Sequence, residues 1–419
     1  MVDAAHVPSN SKTTVNTNVN IAILGAGPAG LALAHGLLDR GCRDFVVFEK
    51  EAVAGGLCRS IDVGDSPLDV CGGHFIDVRR PAVTDFLFRF MPEEEWNTFE
   101  RNTKIRLLGQ MVSYPLEANI WQLDEATQRR YLADISAAGC NTGAPMPQSF
   151  VSWIIWKLGR SIAEDYMLPY NRKLFGDNLD VLGTYWLEKL PNVSYEDTLR
   201  SCREHRPFGT QPGHAVFRYP KKHGAGEIWK RMGDALGDRL VTSAEAVSLD
   251  IAERSIGFAD GTVVHANAIV NTVPWPSFSK LNGLSAESID AITSLRYTGI
   301  CVEYHPESFG SNAHWIYEPN PALPEHRYLL RENFLTGSHG YWTETRIERS
   351  GPALGPRFDV PFAYPLNTIG KNEAVAGLLT ECARSRVFGL GRWGEWQHYN
   401  SDLVVEKALA FAARLWRMS

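Results

Sequence analysis

A glycine-rich turn near the N-terminus constrains the fold of this chain more than any other feature. Residues 25–30 read Gly-Ala-Gly-Pro-Ala-Gly and follow an apolar stretch at 20–24. Helical periodicity covers 31–40, and a second apolar stretch at 45–48 ends at Glu49. A β-α-β unit of about 30 residues that carries this turn is typical of dinucleotide-binding proteins. The sequence therefore predicts a Rossmann-type domain that holds a pyrophosphate.

The positions within the turn have separate physical roles. Gly25 allows the tight turn, Gly27 lets the backbone approach the pyrophosphate, and Gly30 lets the helix pack against the strand. Pro28 and Ala29 open the helix. A helix start offers free N–H groups and a partial positive charge, and both attract phosphate.

The residues after the second strand favour FAD over a plain NAD cofactor. Glu49 falls where a carboxylate accepts hydrogen bonds from the adenosine ribose, and Lys50 follows it. A few residues later a Gly-Gly loop contains Gly56 and Leu57. Such a loop is typical of the large FAD-binding families related to the amine oxidases.

A second glycine turn, at 389–394, indicates the same cofactor from the far end of the chain. It contains Gly391 and Arg392 and precedes an apolar-periodic stretch at 402–416. A positive helix end at this place would stabilise an anionic reduced flavin. FAD is therefore the predicted cofactor.

Composition excludes several classes of protein. A formal net charge of −6 argues against a nucleic-acid or membrane-surface partner, which would select a basic excess. The seven cysteines are scattered, odd in number and lack a C-x-x-C pair, so we expect reduced thiols, no metal site and a cytoplasmic enzyme. Residues 1–18 are polar and predict a disordered leader. The sequence leaves oligomeric state open, a homo-oligomer included.

The pattern along the chain predicts an α/β fold with three intertwined domains. Asp-Gly at 260–261 predicts a β-hairpin, and 268–274 a buried strand. The predicted architecture is a Rossmann-type FAD-binding domain, an inserted helical domain and an antiparallel β-sheet substrate domain. The predicted bounds are 19–90, 205–275 and 386–419 for the discontinuous FAD domain, 91–204 for the helical domain and 276–385 for the sheet domain.

Several separated segments together resemble the UDP-galactopyranose mutase family. The first is a Gly-Gly-His segment that ends at His74. The segments that match in order, and that together span most of the chain, are 69–76, 104–116, 169–171, 217–220, 224–229, 363–366, 391–396 and 399–400. The resemblance implies a flavoenzyme that acts on a small-molecule nucleotide sugar.

The family's reaction is unusual for a flavoprotein. The resemblance implies that reduced FAD attacks the anomeric carbon through N5, so that a nucleotide-activated sugar changes between its pyranose and furanose forms without net redox change. It also implies a need for a reductant. The sequence shows no second dinucleotide motif, so either NAD(P)H bound in the substrate cleft or an external reductase could serve.

The resemblance assigns roles to individual residues. It implies that His74 and Gly73 lie beside the flavin together with Gly391 and Arg392. The catalytic residues it implies are His74, Arg106 and Arg327. The substrate-binding residues it implies are Arg106, Tyr170, Asn171, Tyr317, Arg327, Tyr364, Tyr399 and Asn400.

One departure from the family pattern affects the substrate. Leu168 stands where the family has an arginine that clamps the diphosphate. Losing one charge-assisted hydrogen bond costs about 1.5 to 3 kcal/mol, enough to change specificity. Two alternatives stay open: an FAD-dependent oxidoreductase on the same scaffold, of amine oxidase or desaturase-like type, and an FAD-binding protein without activity.

Overall fold

A computed structural model describes residues 16–64, 66–185, 187, 193–209 and 213–417. Its strands are β1 Asn16–Leu24, β2 Phe45–Phe48, β3 Ser60–Val63, β4 Ser66–Asp69, β5 Ile76–Asp77, β6 Trp96–Glu100, β7 Thr103–Leu107, β8 Gln110–Ser113, β9 Val216–Pro220, β10 Leu240–Val241, β11 Ala246–Asp250, β12 Ser255–Phe258, β13 Val263–Asn271, β14 Lys280–Asn282, β15 Tyr297–His305, β16 Trp315–Tyr317, β17 Glu325–Leu329, β18 Tyr341–Arg346, β19 Arg357–Pro365 and β20 Val387–Gly389. Its α-helices are α1 Pro28–Leu38, α2 Pro81–Phe88, α3 Glu125–Ser136, α4 Gly139–Thr142, α5 Phe150–Leu158, α6 Arg160–Ile162, α7 Leu168–Phe175, α8 Tyr195–Glu204, α9 Gly226–Asp234, α10 Ala286–Ser294, α11 Lys371–Arg384, α12 Gly391–Gly394 and α13 Ser401–Trp416.

The first sheet confirms the predicted β-α-β unit. Its order is β10-β2-β1-β13-β12-β11-β14, and β20 also pairs with β13. The central strand β1 runs parallel to both β2 and β13, and the glycine turn joins its carboxyl end to α1. Ligands of open parallel sheets bind at this edge, where the strand order reverses.

The start of β1 corrects one prediction. Asn16–Leu24 forms a nine-residue strand, and residues 16–18 pair with 263–265 of β13. The ladder hydrogen bonds therefore draw the end of the polar leader into the sheet. Residues 1–15 of the predicted leader lie outside the described residues.

Later parts of the chain complete this sheet. The hairpin at Asp260-Gly261 is confirmed, since β12 and β13 pair antiparallel across it. Strand β20 then returns parallel to β13, and α13 packs against α1. The predicted C-terminal helix is thereby confirmed as a neighbour of the glycine turn.

A second sheet stands beside the first, in the order β19-β15-β18-β17-β16-β7-β8. Its pairs are antiparallel except β16 with β7, which run parallel. The helices α3 to α8 cover one face of it. Their apolar core includes Phe150 and Ile154 of α5.

The three-domain division stays a prediction, but the sheets show what each part contributes. Strands β7 and β8 lie within residues 91–204, the range predicted for the helical domain, but they belong to the second sheet. Across the described ranges, no helix is long and apolar enough to cross a membrane.

Candidate active site

Two glycine loops meet at the carboxyl edge of β1. Gly25 has φ +98°, and a Cβ there would lie 2.6 Å from Oγ1 of Thr272. A Cβ on Gly30 would overlap the Gly25 carbonyl oxygen. Gly27 faces the loop that contains Gly56, because a Cβ on Gly56 would lie 3.0 Å from the Cα of Gly27. The result is a bare backbone cradle at the start of α1, suited to a phosphate group.

Glu49 links this cradle to the end of β2. Its Oε2 accepts a hydrogen bond from the Ala26 N–H at 2.8 Å, and its Oε1 accepts one from Glu51 N–H at 3.0 Å. Burial raises the pKa of Glu49 above its usual range, although these N–H donors oppose the shift. The Lys50 side chain is 62% exposed, and its Nζ lies 3.9 Å from Oε1 of Glu51. The structure therefore brings Glu49 to the cradle and leaves Lys50 at the surface.

The C-terminal turn closes on the same cradle. Gly391 has φ +77°, and a Cβ there would lie 2.7 Å from the Ala29 Cβ. Arg392 donates to the Tyr399 carbonyl at 2.8 Å and to the Ala363 carbonyl of β19 at 3.1 Å. Arg392 thus connects the glycine loops to the second sheet.

His74 lies between the cradle and the second sheet. Its imidazole hydrogen-bonds the Leu57 backbone, while Nε2 is buried and has no hydrogen-bond partner among the described residues. Burial, reinforced by Arg392, lowers its pKa to about 3. Next to it Gly73 packs against Leu329 of β17. A neutral histidine with an unpaired nitrogen is available to a cofactor or substrate group.

The buried carboxylate of Asp69 fixes the backbone of the His74 segment. Asp69 accepts hydrogen bonds from Ser60 Oγ at 2.5 Å, the Tyr219 hydroxyl at 2.9 Å and the Ala225 N–H at 3.1 Å. The His74 backbone N–H donates to it as well. Burial nevertheless raises the pKa of Asp69 to about 6. Sequence reasoning did not single out this residue.

Arg327 projects from the second sheet toward His74. Its Nε and Nη2 donate to the Glu344 carboxylate at 2.5 to 2.8 Å. Glu344 is fully buried and packs against Gly72, where a Cβ would overlap its Oε1. Burial works to raise the pKa of Glu344, but Arg327 and His326 hold it below its usual range.

Tyrosines form a wall beside Arg327. Tyr317 pairs in register with Arg327, so both side chains share one face of the sheet. The Tyr170 ring of α7 lies 5.3 Å from that of Tyr317, edge to face, and Tyr364 Oη lies 3.5 Å from Arg327 Nη2. Four of the predicted substrate residues therefore meet in one place.

Arg106 does not join this group. It follows Ile105, which pairs in register with Tyr317, and successive side chains of a strand face opposite sides. Its guanidinium lies 5.2 Å from the Tyr328 ring centre, and its Nη1 lies 3.0 Å from the Glu318 carboxylate. The predicted catalytic role of Arg106 is not supported, because strand alternation turns it away from His74.

Two other predicted substrate residues, Asn171 and Tyr399, make their side-chain contacts elsewhere. Asn171 is buried and donates to the Met167 carbonyl one turn earlier in the helix. The Tyr399 ring lies 4.8 Å from Lys407 Nζ of α13. Asn400 precedes α13 and makes no capping hydrogen bond with its side chain. The hydrogen bond within α7 orients Asn171, and the motif spacing did not reveal it. The substrate-binding role of Asn400 stays a prediction.

Besides Asp69, the sequence missed three further residues of the site. Glu344 is an acid in the buried strand β18, whose polar sequence Tyr-Trp-Thr-Glu-Thr-Arg gave no sign that the carboxylate is buried. His326 adjoins Arg327 and lies 3.4 Å from Glu344. The His398 ring lies 5.0 Å from the ring of Tyr364.

Leu168 is 6% exposed and packs into the helical core. The position that the family resemblance assigns to a diphosphate-clamping arginine is therefore an apolar core position here. A cavity of about 290 Å³ opens beside Tyr114 and Arg101. Arg101 donates to the Tyr317 hydroxyl at 3.2 Å.

Comparison with known proteins agrees with this geometry. A family model described as an NAD(P)-binding Rossmann-like domain matches residues 23–90. A crystal structure of reduced UDP-galactopyranose mutase superposes with a TM-score of 0.84 and 23% sequence identity, covering 96% of this chain and 94% of that chain. The chain has the fold of UDP-galactopyranose mutase. The predicted fold class and the family resemblance are confirmed at this level.

Amine oxidases share the fold more distantly. Wild-type putrescine oxidase bound to putrescine gives a TM-score of 0.66 at 16% identity, covering 96% of this chain and 100% of that chain. Cyclohexylamine oxidase from Brevibacterium oxydans IH-35A gives a TM-score of 0.66 at 15% identity, covering 95% of this chain and 100% of that chain. These neighbours fit the predicted relation to amine oxidase-type proteins.

Proposed function

We propose that this chain binds FAD and, with the cofactor reduced, interconverts the pyranose and furanose forms of a nucleotide-activated sugar without net redox change. One observation carries the proposal. His74 lies between the glycine cradle and a wall formed by Arg327, Tyr364, Tyr170 and Tyr317. This arrangement sets an anion-binding, hydroxyl-rich surface against the expected flavin position.

The residues of the cradle fit FAD. Gly25 to Gly30 and Gly56 would take the pyrophosphate on bare backbone, and Glu49 would take the adenosine ribose. The unpaired Nε2 of His74 would face the flavin, and Arg392 lies close to this imidazole. The chemistry that bound FAD supplies is nucleophilic, through N5 of its reduced form.

The chain's own residues would position the substrate. Arg327, held rigid by Glu344, would bind an oxygen of the diphosphate, and the Tyr364 hydroxyl would donate beside it. The rings of Tyr170 and Tyr317 would exclude water from the sugar. NAD(P)H or an external reductase would keep the cofactor reduced.

A net oxidoreductase is the second candidate, favoured by the amine oxidases that share the fold over their whole length. The two candidates differ in what happens to electrons. An oxidase reduces its flavin with substrate and passes the electrons on. A mutase consumes no stoichiometric reductant.

One anaerobic experiment separates these functions. The FAD-loaded protein is reduced with dithionite and incubated with UDP-galactopyranose, and in parallel with dTDP- and GDP-hexoses, and furanose products are separated by chromatography. We expect many turnovers per reduced flavin and none with oxidised flavin. Bleaching of oxidised flavin by an amine substrate, with all the nucleotide sugars left unchanged, would replace the mutase proposal with the oxidase.

A matched pair of arginine variants tests the site assignment. Arg327→Ala should lower kcat/KM about 100-fold, or about 3 kcal/mol, because a charged contact to the substrate is lost. Arg106→Ala should change it less than about threefold per flavin-loaded enzyme, since that side chain faces the other side of the sheet. Equal losses in both variants would contradict the assignment.

A further inference from the structure

A β-bulge places two basic side chains against one acid. In the β17–β18 pair, Glu325 is in register with Thr345 and Arg327 with Glu344, so His326 is the extra residue. A bulge of this kind re-aims side chains that would otherwise alternate. As a result Arg327 lies 2.5 to 2.8 Å and His326 Nε2 lies 3.4 Å from the same carboxylate.

This triad is deeply buried and carries no net charge while His326 is neutral. Glu344 is 0% and His326 1% exposed, and the Nδ1 of His326 has no hydrogen-bond partner within the described parts of the chain. Burial is the main cause that lowers the pKa of His326, and Glu344 opposes it. Within the part of the chain that the structure describes, the other charged or titratable groups that face His326 are Lys173 and Tyr170 of α7.

An incoming diphosphate would disturb this balance. Glu344 already compensates the charge of Arg327, so the substrate's anion and Glu344 would share one guanidinium in a region of low dielectric constant. The Glu344 carboxylate also packs against Gly72, and this contact limits how far the carboxylate can move away from Arg327. The expected arginine is absent, since Leu168 lies in the core. A further positive charge next to Glu344 would restore neutrality.

We propose that binding of the diphosphate of a nucleotide sugar beside Arg327 is coupled to uptake of one proton from solvent by His326. The inference rests on the proposed function, because it takes the ligand to be a diphosphate. The proton enters the imidazole as the anion arrives and leaves with it, and no bond of the substrate changes. His326 is thus a positioning residue that sets how strongly Arg327 can hold an anion.

The coupling has a thermodynamic signature. Affinity should fall as pH rises through neutrality, with a slope that approaches tenfold per pH unit for one proton. The sign follows from the proton being bound only in the complex. UDP-galactopyranose is a suitable probe because its diphosphate diester does not titrate near neutral pH.

Isothermal titration calorimetry measures the proton directly. FAD-loaded protein, kept oxidised so that no turnover occurs, is titrated with UDP-galactopyranose at pH 7 in buffers of different ionisation enthalpy. We expect the observed heat to report proton uptake in the unmodified protein. His326→Asn should abolish the uptake, flatten the pH dependence and weaken binding. The exposed His339 supplies the control, since His339→Asn should change nothing.

Glu344→Gln distinguishes this coupling from a merely structural role. Without the acid, Arg327 needs no second cation, so uptake should vanish while binding at pH 8 becomes tighter. Weaker binding in both His326→Asn and Glu344→Gln would overturn the inference. Binding without proton uptake, or uptake that persists in His326→Asn, would also overturn it and leave the proposed function standing. Failure of the sugar nucleotide and of UDP to bind at all would overturn both.

Discussion

Gly30 leaves no room for a side chain at the start of α1. A Cβ there would overlap the Gly25 carbonyl oxygen, so Gly30→Ala must push the helix away from the strand. We expect the variant to lose most of its FAD and about 1 to 3 kcal/mol of unfolding free energy. Released flavin absorbance and urea unfolding measure the two effects.

Gly377→Ala is the matched control. Gly377 lies in α11, and a Cβ there would meet nothing within 4 Å. The same substitution should leave FAD content unchanged and stabilise the helix by up to about 1 kcal/mol. Comparable loss of FAD in both variants would show that the cradle is not specific to the glycine turn.

At the scale of elements, the C-terminal turn before α13 determines how the second sheet meets the cradle. Gly391→Ala adds a methyl group 2.7 Å from the Ala29 Cβ, in a backbone conformation at φ +77°. Gly310→Ala places the same group at φ +70° with nothing within 4 Å. Both carry the cost of the left-handed conformation, about 1 to 2 kcal/mol.

Only Gly391→Ala should also weaken FAD binding, because it separates α12 from α1. Fluorescence titration of the apoprotein with FAD measures the difference. A dissociation constant raised about tenfold or more in Gly391→Ala, and unchanged in Gly310→Ala, is the expected result. Equal affinities would mean that the C-terminal turn does not contribute to the cofactor site.

For the whole molecule, buried histidines determine the response to acid. The histidines whose pKa is lowered, with burial as the main cause, are His35, His74, His214, His314 and His326. Unfolded histidine protonates near pH 6.5, whereas folded His314 and His74 resist protonation down to about 4 and about 3. Stability should therefore be full above pH 6.5 and fall as pH decreases below it.

Asp69 opposes this trend. Its raised pKa of about 6 means that its ionised form costs folding energy, and protonation near pH 6 removes that cost. Urea midpoints between pH 7.5 and 4.5 decide which effect prevails. We expect the urea midpoint to fall steadily as the pH is lowered, and to fall less in the His314→Asn variant. A midpoint that rises from pH 7 to pH 5 would mean that Asp69 outweighs the histidines.

Local sequence patterns were sufficient to predict the Rossmann-type part of this protein. Short-range patterns fix it: the turn at Gly25, the helix after Gly30 and Glu49 all lie within one β-α-β unit, where local geometry follows from residue type. The helix at 401–416 was equally readable from its periodicity. The family resemblance added His74, Arg327 and Tyr364, and the structure brings these three together.

Which polar side chains face the cleft depends instead on long-range strand pairing, which the sequence patterns did not reveal. Strand alternation turns Arg106 to the far face of the sheet, and the bulge at His326 adds a histidine that no spacing rule indicated. The burial of Glu344 and the placing of His398 beside Tyr364 depend on pairings between distant strands and turns. A sequence motif specifies residue types along the chain, but a one-residue change of register reverses the face that a strand presents.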